Sequence, residues 1–193
     1  MRPTPPPSRQ RGVALIVTLI ALLLMMIGAA AMVRSVDTSS VMAGNLAFRR
    51  DLTNRAERAI VAARAALASG ALSSDSARIA DRGASNYSAS KLANGATGMP
   101  LVLTSDSAFG SAKLTAGDFS DDGVSVRYVI DRQCAAAGAF DPASCESLES
   151  KPDPGGSDPA RKPGGIATAV YRISVRVSGP RDTQAYFQTT FAN

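Results

Sequence analysis

The segment VALIVTLIALLLMMIGAAAMV, residues 13–33, decides how this chain is organised. It contains no charged residue, and Thr18 carries its one hydroxyl group. A helix in the core of a soluble domain would present a polar face, and this segment has none. About 20 apolar residues, each rising about 1.5 Å, cross a bilayer core about 30 Å thick. The sequence therefore predicts a single transmembrane helix at residues 13–33.

The residues before this helix form a basic leader. Residues 1–12 read MRPTPPPSRQRG, with four prolines and three arginines, and cannot form a helix or a core. Basic residues ahead of an apolar span hold that end of the chain in the cytoplasm. We therefore expect an inner-membrane protein with a cytoplasmic N-terminus and a periplasmic C-terminal domain.

The helical pattern continues beyond the apolar segment, over residues 34–69. Apolar residues recur at three- and four-residue steps, which is typical of an amphipathic helix: Leu52, Ala56, Ala59, Ile60, Ala63 and Leu67. We expect local softening at Gly28 or at Gly44-Asn45, and an end of the helix at Gly70.

Residues 70–193 are predicted to form a globular domain with strands. Residues 70–100 and 150–165 have loop composition, with a short helix over Ser76–Arg82. Alternating patterns predict strands, and Gly179–Asp182 predicts a hairpin loop; the strand candidates are Pro100–Thr104, Val124–Asp131, Tyr171–Ser178 and Gln184–Phe191. The predicted fold class is α+β, with one long helix packed by its apolar stripe on the single apolar face of a small antiparallel sheet.

The two cysteines, Cys134 and Cys145, leave two readings open. In an oxidising compartment they would pair, and the short loop would stabilise the domain by roughly 2–3 kcal/mol. Alternatively they are unrelated thiols. Zinc is disfavoured, because two thiolates without a histidine supply half of a tetrahedral site.

Composition argues against two classes of function. The net charge is +5, but no basic stripe with interleaved aromatic residues is present, so nucleic acid is not an expected partner. The chain has no histidine, no nucleophile elbow and no phosphate-binding glycine loop. We therefore expect neither an enzyme nor a bound cofactor.

One segment has half of a calcium-binding pattern. Residues Asp118–Gly123 place oxygen-bearing side chains and a glycine as in the first half of a calcium loop. Val129 stands where the bidentate glutamate would be. An ordinary turn before a strand and a calcium loop both stay open, and the turn is favoured.

The N-terminal half resembles the PilX-type minor pilins of type IV pili. The resemblance is carried by Arg11–Val17, by Met42–Arg49 and by Ala56–Ala59, with a weaker similarity in the hairpin that begins at Tyr171. It implies that a prepilin peptidase cuts after Gly12 and methylates Val13. It also implies partners: other minor pilins, the major pilin, the assembly platform and lipid of the inner membrane, and a large tip adhesin.

One position departs from the pattern of most major pilins. Those carry a glutamate at the fifth residue after the cut, where this chain has Val17. The glutamate is thought to attract the charged amino terminus of the subunit already in the fibre. Minor pilins and pseudopilins located at the tip similarly lack it, which implies a position at or near the fibre tip.

Other readings of the N-terminus remain. Residues 13–33 could be a plain signal anchor, or a secretory signal cut after Ala31 within Ala29–Ala31. A K-type pseudopilin of a type II secretion system would share the anchor and the missing carboxylate. An anchored binding domain, with its contact surface near Cys134 and Cys145, is the remaining alternative.

Overall fold

The computed structural model describes residues 13–115, 119, 123–149 and 167–193. The fold is α+β, as predicted from the sequence. Its elements are α1 Val13–Ala68, β1 Tyr87–Ser88, α2 Asp106–Ser111, β2 Ser125–Arg132, β3 Ser147–Glu149, β4 Ala167–Ser178 and β5 Gln184–Ala192. The chain divides into two compact units, one ending at Arg49 and the other comprising Arg50–Asn193.

Helix α1 is continuous from Val13 to Ala68 and runs through Gly28 and Gly44 without a break. The apolar stripe predicted in its C-terminal part is confirmed, because its buried residues are Leu52, Ala56, Ala59, Ile60, Ala63 and Leu67. Three of these six residues are alanines, whose small side chains allow the helix backbone to approach the elements that it covers.

The end of α1 depends on a glycine and on an arginine. The N–H groups of Gly70 and Leu72 donate to the carbonyls of Ala65 and Ala66 at 3.1 and 3.0 Å. A Cβ at Gly70 would lie 2.8 Å from the Cα of Ala66, so this close approach requires glycine. Arg78 donates from Nη2 to the carbonyl of Leu67 at 2.9 Å, placing a cation at the negative end of the helix.

The sheet has the order β1-β2-β4-β5, and β3 pairs with the first residues of β4. The long strands β2, β4 and β5 are antiparallel, with Tyr128 opposite Val175 and Val175 opposite Phe187. The expectation of a purely antiparallel sheet was wrong in one respect, because β1 pairs in parallel with β2. The sheet is therefore mixed.

The hairpin between β4 and β5 lies where the sequence predicted it. Arg181 and Asp182 have φ values of 57° and 56°. Two successive residues with positive φ give a turn whose twist matches that of the flanking strands.

Two predicted elements were wrong. Pro100–Thr104 is not a strand, because Leu101–Leu103 forms a 3₁₀ turn that buries Leu103 with Met99, Phe109 and Val129. Ser76–Arg82 is not a helix. A 3₁₀ turn covers only Asp75–Ala77, and Arg82 pairs with Tyr87 instead.

The sheet is covered on both faces, whereas the sequence predicted a cover on one. Arg64 of α1 lies over the ring of Phe191, so α1 covers the face that carries Phe191 and Tyr171. On the other face, segment 92–115 packs Leu103 and Phe109 against Val129. A sheet with a single apolar face would leave the alternate polar residues of β4 in solvent, but the second cover buries them: Arg172, Ser174 and Arg176.

Candidate functional site

The apolar part of α1 is exposed along its whole length. All residues from 13 to 47 are exposed, and the most apolar window of α1 has a mean hydropathy of 2.8 with none of it buried. The Thr18 hydroxyl donates to the carbonyl of Leu15 at 2.9 Å, which satisfies the polar side chain within the helix. This helix is long and apolar enough to be a single membrane span.

The predicted processing residues lie at the start of this helix. Gly12 is outside the described residues. Val13 is the first residue of α1, and Val13 and Val17 are 63% and 58% exposed. No charged side chain occurs between Val13 and Arg34, so Val17 lies in an uncharged segment whose nearest polar side chain, Thr18, is hydrogen-bonded within the helix.

The structure joins Cys134 and Cys145 in a disulfide that closes a loop after β2. The two residues also form an isolated antiparallel bridge. The loop is fastened to the domain by backbone hydrogen bonds, from Lys91 to the carbonyl of Cys134 at 2.9 Å and from Gly138 to the carbonyl of Ile79 at 2.8 Å. The disulfide loop, residues 134–145, is therefore an ordered part of the domain surface.

A buried ion pair links β2 and β4. Asp131 has no exposed surface and accepts from Nε and Nη2 of Arg172 at 2.9 and 2.6 Å. It also accepts from the backbone of Leu92 at 3.2 Å and from the Gln133 amide at 2.8 Å. Bidentate pairing with two further donors satisfies the carboxylate and ties segment 92–115 to the sheet.

A second cluster on the same face involves Asp106 at the start of α2. Its carboxylate pairs with Nη2 of Arg176 and lies 3.7 Å from Nε of Arg127, and these two arginines are directly opposite each other on β4 and β2. The guanidinium of Arg127 also lies over the Phe109 ring, 5.2 Å from its centre. One carboxylate therefore partly neutralises two cations.

A cavity of about 500 Å³ lies at the end of the sheet that faces the disulfide loop. Its lining includes Arg78, Arg132, Tyr171 and Phe140. Arg132 and Tyr171 are opposite each other on β2 and β4, and Arg78 lies 5.4 Å from the centre of the Tyr171 ring. Two guanidinium groups and a phenol thus share one wall.

Burial has one clear electrostatic consequence for the tyrosines. Loss of hydration raises the pKa of Tyr87 above its usual value, and it also raises the pKa of Tyr128. Their hydroxyls keep their protons in the folded state well into alkaline conditions.

The calcium hypothesis is not tested by the structure, because Asp118, Asp121 and Asp122 lie outside the described residues. Within residues 13–115, 119, 123–149 and 167–193, no three acidic, cysteine or histidine residues come together as a metal site.

Sequence reasoning missed the buried arginines. Arg78, Arg132, Arg172 and Arg176 are each at most 7% exposed, yet strand alternation assigned Arg172 and Arg176 to a solvent face. The available signal was the apolar content of residues 99–109, where Met99, Leu103 and Phe109 are buried by packing against the second face of the sheet.

Comparison with known proteins adds no family to this geometry: no family model, no curated protein and no solved structure matches the chain.

Proposed function

We propose that this protein is a PilX-type minor pilin that takes part in assembly and priming of a type IV pilus, at or near the fibre tip. Its action in this proposal is assembly rather than catalysis. The observation that supports it best is the division of α1, whose residues 13–47 are exposed while the stripe from Leu52 to Leu67 is buried. The same exposed surface can be buried first in lipid and later against similar helices.

The energetics of the apolar segment explain why a leader would have to be removed. Residues 13–33 contain eleven Val, Leu and Ile residues, which contribute about 3–7 kcal/mol to membrane insertion at about 0.3–0.6 kcal/mol each. Carrying Arg9 and Arg11 into an apolar bundle would cost about 5–7 kcal/mol on the same scale. Cleavage after Gly12 removes both charges, and the segment can then leave lipid for a helical bundle.

Val17 supports the placement at the tip. A carboxylate in an apolar bundle is expensive unless it has a partner, such as the amino terminus of the subunit beyond it. A subunit with no neighbour beyond it needs no such group. We expect Val17→Glu to leave incorporation unimproved or impaired, and incorporation along the whole fibre would contradict the tip position.

The decisive experiment determines the N-terminus of the mature protein and its presence in sheared, purified fibres by mass spectrometry. The proposal predicts a methylated Val13 and copurification with other pilins. Gly12→Leu should block cleavage and keep the protein in the membrane. Gly28→Leu is the matched control for cleavage, because it makes the same change in α1 away from the cut site, where a Cβ meets no atom within 4 Å beyond the adjacent helix backbone.

Other N-termini would refute the proposal in different ways. A mature chain that begins at Met32 is a secreted domain, and one that keeps Met1 is a plain anchored domain. A methylated Val13 in a protein that copurifies with a type II secretion system identifies a pseudopilin of the K type.

A further inference from the structure

The cavity at the end of the sheet contains a buried cation that has no counterion among the described residues. Arg132 is 2% exposed. Its Nε donates to the carbonyl of Ala89 at 3.0 Å, and its Nη2 donates to that of Gly138 at 2.6 Å. Its Nη1 bonds to none of the described residues, and no described carboxylate lies within ion-pairing distance. A buried charge normally has a partner, because burying it alone is costly.

The neighbouring arginine differs in this respect. Arg78 lines the same cavity, but it donates to the carbonyls of Leu72 and Leu67 and lies 3.6 Å from the carboxylate of Asp75. Its charge and its donors are therefore largely used within the domain. Among the described residues that line the cavity, Arg132 is therefore the cation that lacks a carboxylate partner.

The lining also includes Asp75, whose exposed carboxylate lies 3.6 Å from Nη1 of Arg78, and further aromatic and polar side chains. Phe140 of the disulfide loop is half-buried and provides an aromatic surface beside Ala139. Ser76, Thr168 and Asn193 provide polar side chains. Tyr171 accepts from Arg78 at 3.4 Å, which leaves its own hydroxyl proton available to an acceptor.

We propose that this cavity binds a carboxylated sugar, with the carboxylate on Nη1 of Arg132. The ring of the sugar packs on Phe140, and its hydroxyls meet Ser76, Thr168 and the Tyr171 hydroxyl. A volume of about 500 Å³ is that of a small-molecule site and is far larger than a lone anion needs. The combination of one buried cation, one aromatic wall and several hydroxyl partners favours a uronic acid over a simple anion.

The test uses the full-length protein in a detergent without a sugar headgroup, with binding followed by saturation-transfer NMR and titration calorimetry. The probes are glucuronate, glucose, acetate and inorganic phosphate. Glucuronate should bind, and glucose and acetate should each bind at least tenfold more weakly. Glucose that binds as well as glucuronate overturns the role of Arg132. Acetate or phosphate that competes as well as glucuronate overturns the sugar assignment, and absence of glucuronate binding overturns the whole proposal.

Two exposed alanines of the disulfide loop provide matched variants. Ala139→Glu places a carboxylate at the cavity and should weaken glucuronate binding at least tenfold, because it repels the ligand and competes for Arg132. Ala136→Glu makes the same change in the same loop outside the cavity lining and should leave binding unchanged. Equal effects of the two variants would place the ligand elsewhere. Phe140→Ala should weaken binding at least fivefold without changing the unfolding midpoint, and unchanged affinity would refute the aromatic contact.

Discussion

Replacing Asp131 by alanine tests whether the second face of the sheet is covered. If only one face were covered, Asp131 would lie in solvent, whereas in the structure it is buried. The carboxylate has no exposed surface and accepts four hydrogen bonds, two from Arg172 and one each from Leu92 and Gln133. Asp131→Ala leaves Arg172, which is 5% exposed, without its counterion. Removing one partner of a buried pair costs about 3–5 kcal/mol, whereas a surface change costs at most about 0.5 kcal/mol.

The effect should be measured by urea unfolding of the full-length protein in mild detergent. The chain has no tryptophan, but Tyr87, Tyr128 and Tyr171 are buried, so tyrosine fluorescence reports the unfolding of the domain. With a dependence of about 2 kcal/mol per molar urea, a loss of 4 kcal/mol lowers the midpoint by about 2 M. Such a loss is a large share of the roughly 5–15 kcal/mol that stabilises a domain.

Two controls make the result interpretable. Glu57→Ala removes an exposed carboxylate from α1 and should change stability by about 0.5 kcal/mol or less. The double variant Asp131→Leu/Arg172→Leu removes both charges and should be more stable than Asp131→Ala. If Asp131→Ala behaves like Glu57→Ala, the buried network and the cover formed by segment 92–115 are refuted.

Three further predictions concern packing, pH and the disulfide. Ala63 has no exposed surface, so Ala63→Leu should destabilise the domain by about 1–3 kcal/mol through overpacking, whereas Arg58→Leu at an exposed position should not. Equal unfolding midpoints of the two variants would show that the apolar stripe of α1 is not packed. Because burial raises the pKa of Tyr128, the unfolded state releases this proton first above pH of about 10, and stability falls by up to about 1.4 kcal/mol per pH unit for each such tyrosine. Tyr128→Phe should make this alkaline slope shallower and exposed Tyr186→Phe should not, as measured by urea titrations between pH 8 and 11; an unchanged slope in Tyr128→Phe would contradict its burial. Cys134→Ser/Cys145→Ser should cost about 2–3 kcal/mol through loss of the loop constraint, and an unchanged midpoint would show that the bond does not constrain the unfolded chain.

Local sequence patterns predicted an element correctly where the burial of one face of that element set the spacing of its apolar residues. The three- and four-residue spacing from Leu52 to Leu67 predicted the buried face of α1, because a helix can bury only residues that share one side. The strands β2, β4 and β5 were predicted because their alternation matches the period of a strand. The segment Pro100–Thr104 was misread, because a run of five mostly apolar residues is too short to distinguish a strand from a turn.

The candidate sites also differ in how far the sequence could predict them. The roles of Gly12, Val13 and Val17 stay predictions from the resemblance to pilins. The exposed apolar surface on which Val13 and Val17 lie could be predicted from the sequence, because an uninterrupted apolar segment is a local property. The cavity around Arg132 could not, because Arg78, Arg132, Phe140 and Tyr171 come from four separate parts of the chain. Only the pairing of β2 with β4 and the fastening of the disulfide loop bring them together.

The sequence alone determined the single apolar helix, its amphipathic continuation and the α+β class, because length, hydropathy and periodicity are properties of neighbouring residues. The tertiary structure decided which polar residues are buried. Strand alternation distinguishes the two faces of a sheet, but it does not reveal that segment 92–115 covers the second face, where Asp131 and Arg172 pair. The burial of these polar residues depends on contacts between residues far apart in the chain. A local sequence pattern carries no information about the free energy of such contacts.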